Sequence, residues 1–100
     1  MLIKIHKGTR YVVAVCDTDL YGKKITDFEN DREISLEGNF FKGEEKNEKE
    51  IIEYLKDYKM EDASFNIVGK NSIECALKAK IIDKEGIIYI AGVPMALVLL

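Results

Sequence analysis

Gly69, Lys70, Asn71 and Ser72 form the stretch whose residue types and spacing best suit a defined chemistry. A short apolar run ends at Gly69. A helical pattern starts just behind it, with Ile73, Ala76, Leu77 and Ile81 recurring at spacings of three and four. The first backbone N–H groups of a helix have no internal partners, and the helix dipole favours an anion there. Lys70 adds a charge and Ser72 a hydroxyl, so the set suits a phosphate, of a nucleotide or of an RNA backbone. It is not a P-loop: Ser64 stands where the first Gly of that motif belongs, and Asn71 separates Lys70 from Ser72. The plainer reading is a tight turn at Gly69 with Asn71 or Ser72 capping the helix, and a partial motif favours it.

A second candidate is the N-terminal hairpin, where Lys4, His6, Arg10 and Tyr11 supply cations and aromatic rings of the kind that meet phosphates and stack on bases. An ordinary solvated strand edge guarded by Lys and Arg is the competing reading, favoured by the acidic balance of the chain. Cys16-Asp17 places a thiol at a strand end, but a neighbouring carboxylate raises a thiol pKa and disfavours the nucleophilic thiolate. Asp27 to Glu50 is rich in carboxylates without the spacing of a calcium loop, and such runs are usually solvated faces. With two Cys and one His no zinc site is complete. The residues thus offer no catalytic group, no metal site and no cofactor site.

The elements that must position these residues follow from periodicity. Leu2 to His6 and Tyr11 to Cys16 are β-like runs around a turn at Gly8-Thr9. Centred there, the turn pairs Ile3 with Ala14, Ile5 with Val12 and Met1 with Cys16 on a core face. It leaves Leu2 with Val15, Lys4 with Val13 and His6 with Tyr11 on a partly solvated one. His6 and Cys16 then lie at opposite ends and on opposite faces. Asp17 to Asn30 reads as a connection, with Asp17-Thr18-Asp19 capping a short turn that ends at Gly22. Arg32 to Leu36 alternates as a strand, and Phe40-Phe41-Lys42 pairs back after Gly38-Asn39. A helix spans Glu48 to Lys59, capped by Asn47 with Glu50 three positions on, and buries Ile51, Ile52, Leu55 and Tyr58. Phe65 to Val68 is a strand and Asn71 to Lys80 a second helix. Ile87 to Ala91 and Met95 to Leu100 lack polar alternation, which predicts cover on both faces.

The whole is read as one α+β domain over residues 1–100: a mostly antiparallel sheet with two main helices packed on it. With 47% hydrophobic and 33% charged residues the chain is globular and not disordered. A net charge of −3 excludes a polycation, so nucleic-acid binding needs a local basic patch; Met1 to Lys24 carries more Lys and Arg than Asp, whereas Thr26 to Glu50 is dominated by acids. Cys16 and Cys75 sit in apolar runs and read as free thiols. Nothing resembles a secretory segment, and the C-terminal apolar run is too short for a bilayer, so no membrane association and a cytoplasmic location are expected. The absence of Gln and Trp and the wealth of Lys, Glu and Ile resemble a thermophile composition.

Lys4-Ile5-His6, Val13-Ala14-Val15-Cys16-Asp17 followed by Leu20 and Gly22-Lys23, Asn66-Ile67-Val68-Gly69, and Gly92-Val93-Pro94 occur in the order found in the archaeal proteins grouped as domain of unknown function 424. The resemblance covers nearly the whole chain. It implies an archaeal cytoplasmic protein with no established activity, for which a role in RNA binding or translation is the expectation. Similar proteins often carry His after Gly-Val-Pro, where this chain has Met95. The reading is therefore a non-enzymatic RNA or ribonucleoprotein binding module using Lys4, His6 and Arg10 together with Gly69, Lys70, Asn71 and Ser72. A nucleotide- or phosphate-binding protein or enzyme with its anion at Gly69–Ser72 is the alternative. Another is a protein-interaction subunit, including a homodimer joined through the C-terminal strand.

Overall fold

A computed structural model describes residues 1–99. Its spine is a six-stranded sheet in the order β5-β1-β2-β6-β8-β7. The strands are β1 (Leu2–His6), β2 (Val12–Cys16), β5 (Glu44–Glu45), β6 (Ser64–Val68), β7 (Ile88–Ile90) and β8 (Val93–Val98). All neighbours are antiparallel except β2 and β6, which run parallel. A separate ribbon pairs β3 (Lys24–Asp27) with β4 (Arg32–Ser35). Two helices complete the chain, α1 (Glu48–Met60) and α2 (Lys70–Lys78). The expected α+β architecture with a mostly antiparallel sheet and two helices is the observed one. Among the described residues no helix is long and apolar enough to cross a membrane.

Strand alternation sends odd residues of β1 and β2 to the helix side. There Ile3, Val13, Val15, Phe65, Ile67 and Ala96 of the sheet close over Ile51 and Leu55 of α1 and Ile73 and Ala76 of α2. The opposite face is also covered. Ala14, Cys16, Val68 and Ile90 meet Ile34 and Leu36 from the ribbon, together with Phe41. The sheet is thus the middle of three layers; on the second face of the hairpin Ala14 and Cys16 are buried while Lys4 is exposed, so that face is partly solvated.

The hairpin register differs from the expected one by one residue. Leu2 pairs with Cys16, Ile3 with Val15, Lys4 with Ala14, Ile5 with Val13 and His6 with Val12. Because the side-chain period is two, this slip moves Cys16 and Ala14 onto the face of Leu2, Lys4 and His6. His6 and Cys16 therefore share a face, although they remain at opposite ends. Tyr11 leaves His6 and packs edge-on against Tyr58 of α1, with ring centroids 5.2 Å apart.

Three local expectations change. Lys24–Asp27 is a strand where a connection was expected, because its pairing with Arg32–Ser35 compensates for its mixed polar sequence. Phe40-Phe41-Lys42 is a turn and not a strand, with the Lys42 N–H donating to the Asn39 carbonyl. At the far edge β7 leaves Ile88 44% and Tyr89 60% exposed, and Leu97 of β8 is 49% exposed, so the expected cover on both faces fails in both strands. The C-terminal strand β8 is paired on both sides, by β6 and β7; Leu100, expected within it, lies outside the described residues. Helix α1 starts as its sequence demands. The Asn47 side chain accepts from the Glu50 N–H at 2.9 Å, and the Glu50 carboxylate accepts from the Asn47 N–H at 3.2 Å.

Candidate nucleic-acid interface

The anion expected at the start of α2 is supplied by the chain itself. Asp17 follows β2, and its N–H donates to the Val68 carbonyl at 3.1 Å, which continues the parallel ladder to the end of β6. One carboxylate oxygen of Asp17 accepts from the Ser72 N–H at 2.8 Å and the Ser72 hydroxyl at 2.7 Å. The other accepts from the Asn71 N–H at 3.0 Å. Asp17 and Ser72 are both buried. A buried carboxylate is tolerable only with such a set of donors, and the positive end of the helix dipole adds to it.

Gly69 makes this approach possible. Its φ of 111° and ψ of 154° belong to a region essentially reserved for glycine. A Cβ at this position would lie 2.4–2.8 Å from the atoms of the Asp17 carboxyl group. The Gly69 N–H donates to the Pro94 carbonyl at 2.9 Å, tying the turn to β8 as well. Of the four residues expected to receive a phosphate here, Gly69 and Ser72 are buried against Asp17, while Lys70 and Asn71 are exposed. The Asn71 and Ser72 amides that a phosphate would use are already engaged by Asp17. Asp17-Thr18-Asp19 is expected to cap a short turn through Leu20-Tyr21; a turn forms at Thr18–Leu20, but the Asp17 side chain makes no bond to it.

Lys4, His6 and Arg10 lie elsewhere. β2 and β6 run parallel, so α2 begins at one end of the sheet while the Lys7–Arg10 turn sits at the other. The five residues of β2 separate them by about 13 Å of strand. The two groups of predicted site residues do not converge.

Around the hairpin the structure gathers a basic and aromatic edge. Strand β5 pairs only with Leu2 and Ile3, which leaves the outer side of β1 open from Lys4 to His6. The loop after Phe40 runs along this opening. His6 Nε2, carrying the ring proton, donates to the Phe40 carbonyl at 2.8 Å, and the two rings stack with centroids 4.6 Å apart and planes 14° apart. Gly43 presses against β1 so closely that a Cβ would fall 2.0 Å from the Ile3 carbonyl oxygen. Beside it a groove of about 520 Å³ opens between Lys4, Lys42 and Lys46, with Ile5 and Tyr54 among its lining residues. Residues 1–10 and 40–43 contribute Lys4, Lys7, Arg10 and Lys42 and no carboxylate. Glu44, at the margin, is taken up by Lys46 at 3.3 Å, and this pair holds the Lys46 ammonium pKa above its ordinary value. Sequence reasoning found Lys4, His6 and Arg10 but not Phe40 and Lys42. The available signal was Gly43, whose missing side chain permits the close backbone approach.

The thiols have no place in this chemistry. Burial, followed by the charge of Asp17, pushes Cys16 up to about 11; burial, followed by Glu48, does the same to Cys75. Both are free and buried. Iodoacetamide at pH 8 should leave both unmodified in the folded protein and alkylate both in denaturant; rapid labelling of either in the native state would contradict this. The raised native pKa values also carry a sign. The unfolded chain begins to lose thiol protons near pH 9 while the folded chain keeps them to about 11, so stability should decline as pH rises through that window. Among the described residues, no three His, Cys, Asp or Glu side chains gather to hold a metal ion.

The model of a protein family of unknown function, DUF424, matches residues 6–100. The chain belongs to the DUF424 family. A solved structure of an uncharacterized conserved protein from Methanopyrus kandleri superposes with a TM-score of 0.83 at 22% identity, covering 96% of this chain and 87% of the other. The fold of this DUF424 chain is therefore shared with that protein, and at such identity the likeness speaks for the fold alone. No curated protein matches.

Proposed function

We propose that this chain is a non-enzymatic RNA or ribonucleoprotein binding module associated with translation, and that the open edge of β1 is its nucleic-acid surface. One observation carries the reading. In a chain of net charge −3, the hairpin and the loop laid against it supply Lys4, Lys7, Arg10 and Lys42 and no carboxylate of their own, and Glu44, which lines the groove beside them, is paired with Lys46. Cations spaced along a groove track a phosphate backbone, and exposed rings give bases a surface to stack on. Phe40, 41% exposed and stacked on His6, and the half-buried Tyr54 are the rings available. No acid–base pair or activated nucleophile lies along this edge, which favours binding over catalysis. At Gly69–Ser72 the Asp17 carboxylate holds the donors a nucleotide phosphate would need, which weighs against the nucleotide reading.

Charge reversal tests the reading. Lys4 and Lys42 are exposed, so Lys4→Glu/Lys42→Glu should fold normally. Loss of two phosphate contacts should weaken binding to single-stranded RNA about tenfold or more and make the salt dependence shallower by roughly 1.4 in the log–log slope. The charge-matched variant Lys49→Glu/Lys56→Glu, on the exposed side of α1, should change affinity less than about twofold, since residual long-range effects are screened. Equal losses in both variants would show a response to net charge only and remove the β1 edge from the site.

A further inference from the structure

The other edge of the sheet has a different character. Among the described residues strand β7 has no outer neighbour. Its main chain can be oriented from its partner. The Pro94 carbonyl accepts from the Gly69 N–H, so the main-chain groups of Pro94 point toward β6. Alternation then points Val93 and Met95 toward β7, where they face Ile90 and Ile88. The N–H and C=O of Tyr89, opposite Pro94, are left pointing outward. Beside this edge lies a groove of about 520 Å³ whose lining includes Ile73, Leu77 and Pro94 together with Lys70, Lys84 and Glu74. Among the described residues neither lysine is ion-paired.

We propose that this edge and groove dock an extended peptide segment of a protein partner, one that alternates apolar with acidic residues and adds to the sheet as a seventh strand. Main-chain bonds to Tyr89 would fix the strand, an apolar side chain would enter the groove, and carboxylates would meet Lys70 and Lys84. Two features select this occupant. Outward peptide groups on a sheet edge pair with extended polypeptide, and RNA has no matching ladder. The groove lining carries two lysines against one carboxylate, which complements an acidic strand better than a second copy of the same positive lining. The inference does not depend on the nucleic-acid reading of the β1 edge. It would make the chain a bridge, with the two surfaces at opposite edges of one sheet.

The test is selection of a displayed library of random 12-residue peptides on the full chain, followed by titration of the best synthetic peptide into labelled protein by NMR. The expected peptides interleave Asp or Glu with Val, Ile or Leu, and they shift the amide of Tyr89. The exposed-surface variant Lys70→Glu/Lys84→Glu should weaken that peptide fivefold or more. Tyr89→Pro, which removes the outward N–H, should do likewise, and its fold is checked by the same spectra. An empty selection would overturn the proposal. So would enriched peptides without acidic residues, or affinity unchanged in the lysine variant. Self-association of the wild-type chain that Tyr89→Pro abolishes would assign the edge to a second copy instead.

Discussion

Gly69→Ala should cost the protein about 3 kcal/mol or more, since backbone strain there is worth 1–3 kcal/mol and loss of a buried charged hydrogen bond a further 1.5–3. Two effects act at once. Alanine does not settle at φ 111° and ψ 154°, and its Cβ would occupy the space of the Asp17 carboxyl group. Either the carboxylate leaves its donors or α2 shifts away from β2. Both outcomes also strain the bond from the Gly69 N–H to the Pro94 carbonyl, which links this turn to β8. A domain of this size is stable by only about 5–15 kcal/mol, so the urea midpoint should fall steeply. A midpoint within error of wild type would mean that the turn relaxes freely, and the packing described for Gly69 would be wrong.

Asp17→Ala should destabilise by a similar amount, about 3 kcal/mol, from stranding the Ser72 N–H and hydroxyl and removing the cap of α2. Ser72 is fully buried, so water does not readily replace the carboxylate there. Asp17→Asn is the informative companion. Its carbonyl oxygen can keep the Ser72 donors, but its amide then faces the Asn71 N–H, donor against donor. A loss of roughly half that of alanine is expected, in the range of one lost charged hydrogen bond. The two sites are in contact, so their effects should not add. In Gly69→Ala/Asp17→Ala the new Cβ no longer meets a carboxylate, and the combined loss should fall short of the sum. Additive losses would show that Gly69 and Asp17 act separately.

This pairing also shows where sequence reading stops. The capping box of α1 spans four consecutive residues and was legible because its chemistry is local. The cap of α2 comes from Asp17, 54 residues from Asn71 in sequence, and no spacing rule connects them. It exists because β2 and β6 are parallel neighbours, a pairing that periodicity alone does not specify. The hairpin shows a related limit. Its strands were legible, but the slip of one residue at the Lys7–Arg10 turn was not, and it moved the side chains of β2 to the opposite face relative to those of β1. That slip decides the company of His6, which stacks on Phe40 and not beside Tyr11. The basic edge was thus half legible, through Lys4, His6 and Arg10. Phe40 and Lys42 join it only because Gly43 lets a distant loop lie against β1.

The central claim is that this edge binds RNA through phosphate contacts. Its most direct test is fluorescence anisotropy of labelled single-stranded RNA with the wild-type chain across a salt series from low to near-physiological concentration. Four contacts, from Lys4, Lys7, Arg10 and Lys42, predict a log–log slope of roughly −3. No binding even at the lowest salt, or binding that salt does not weaken, would contradict the account.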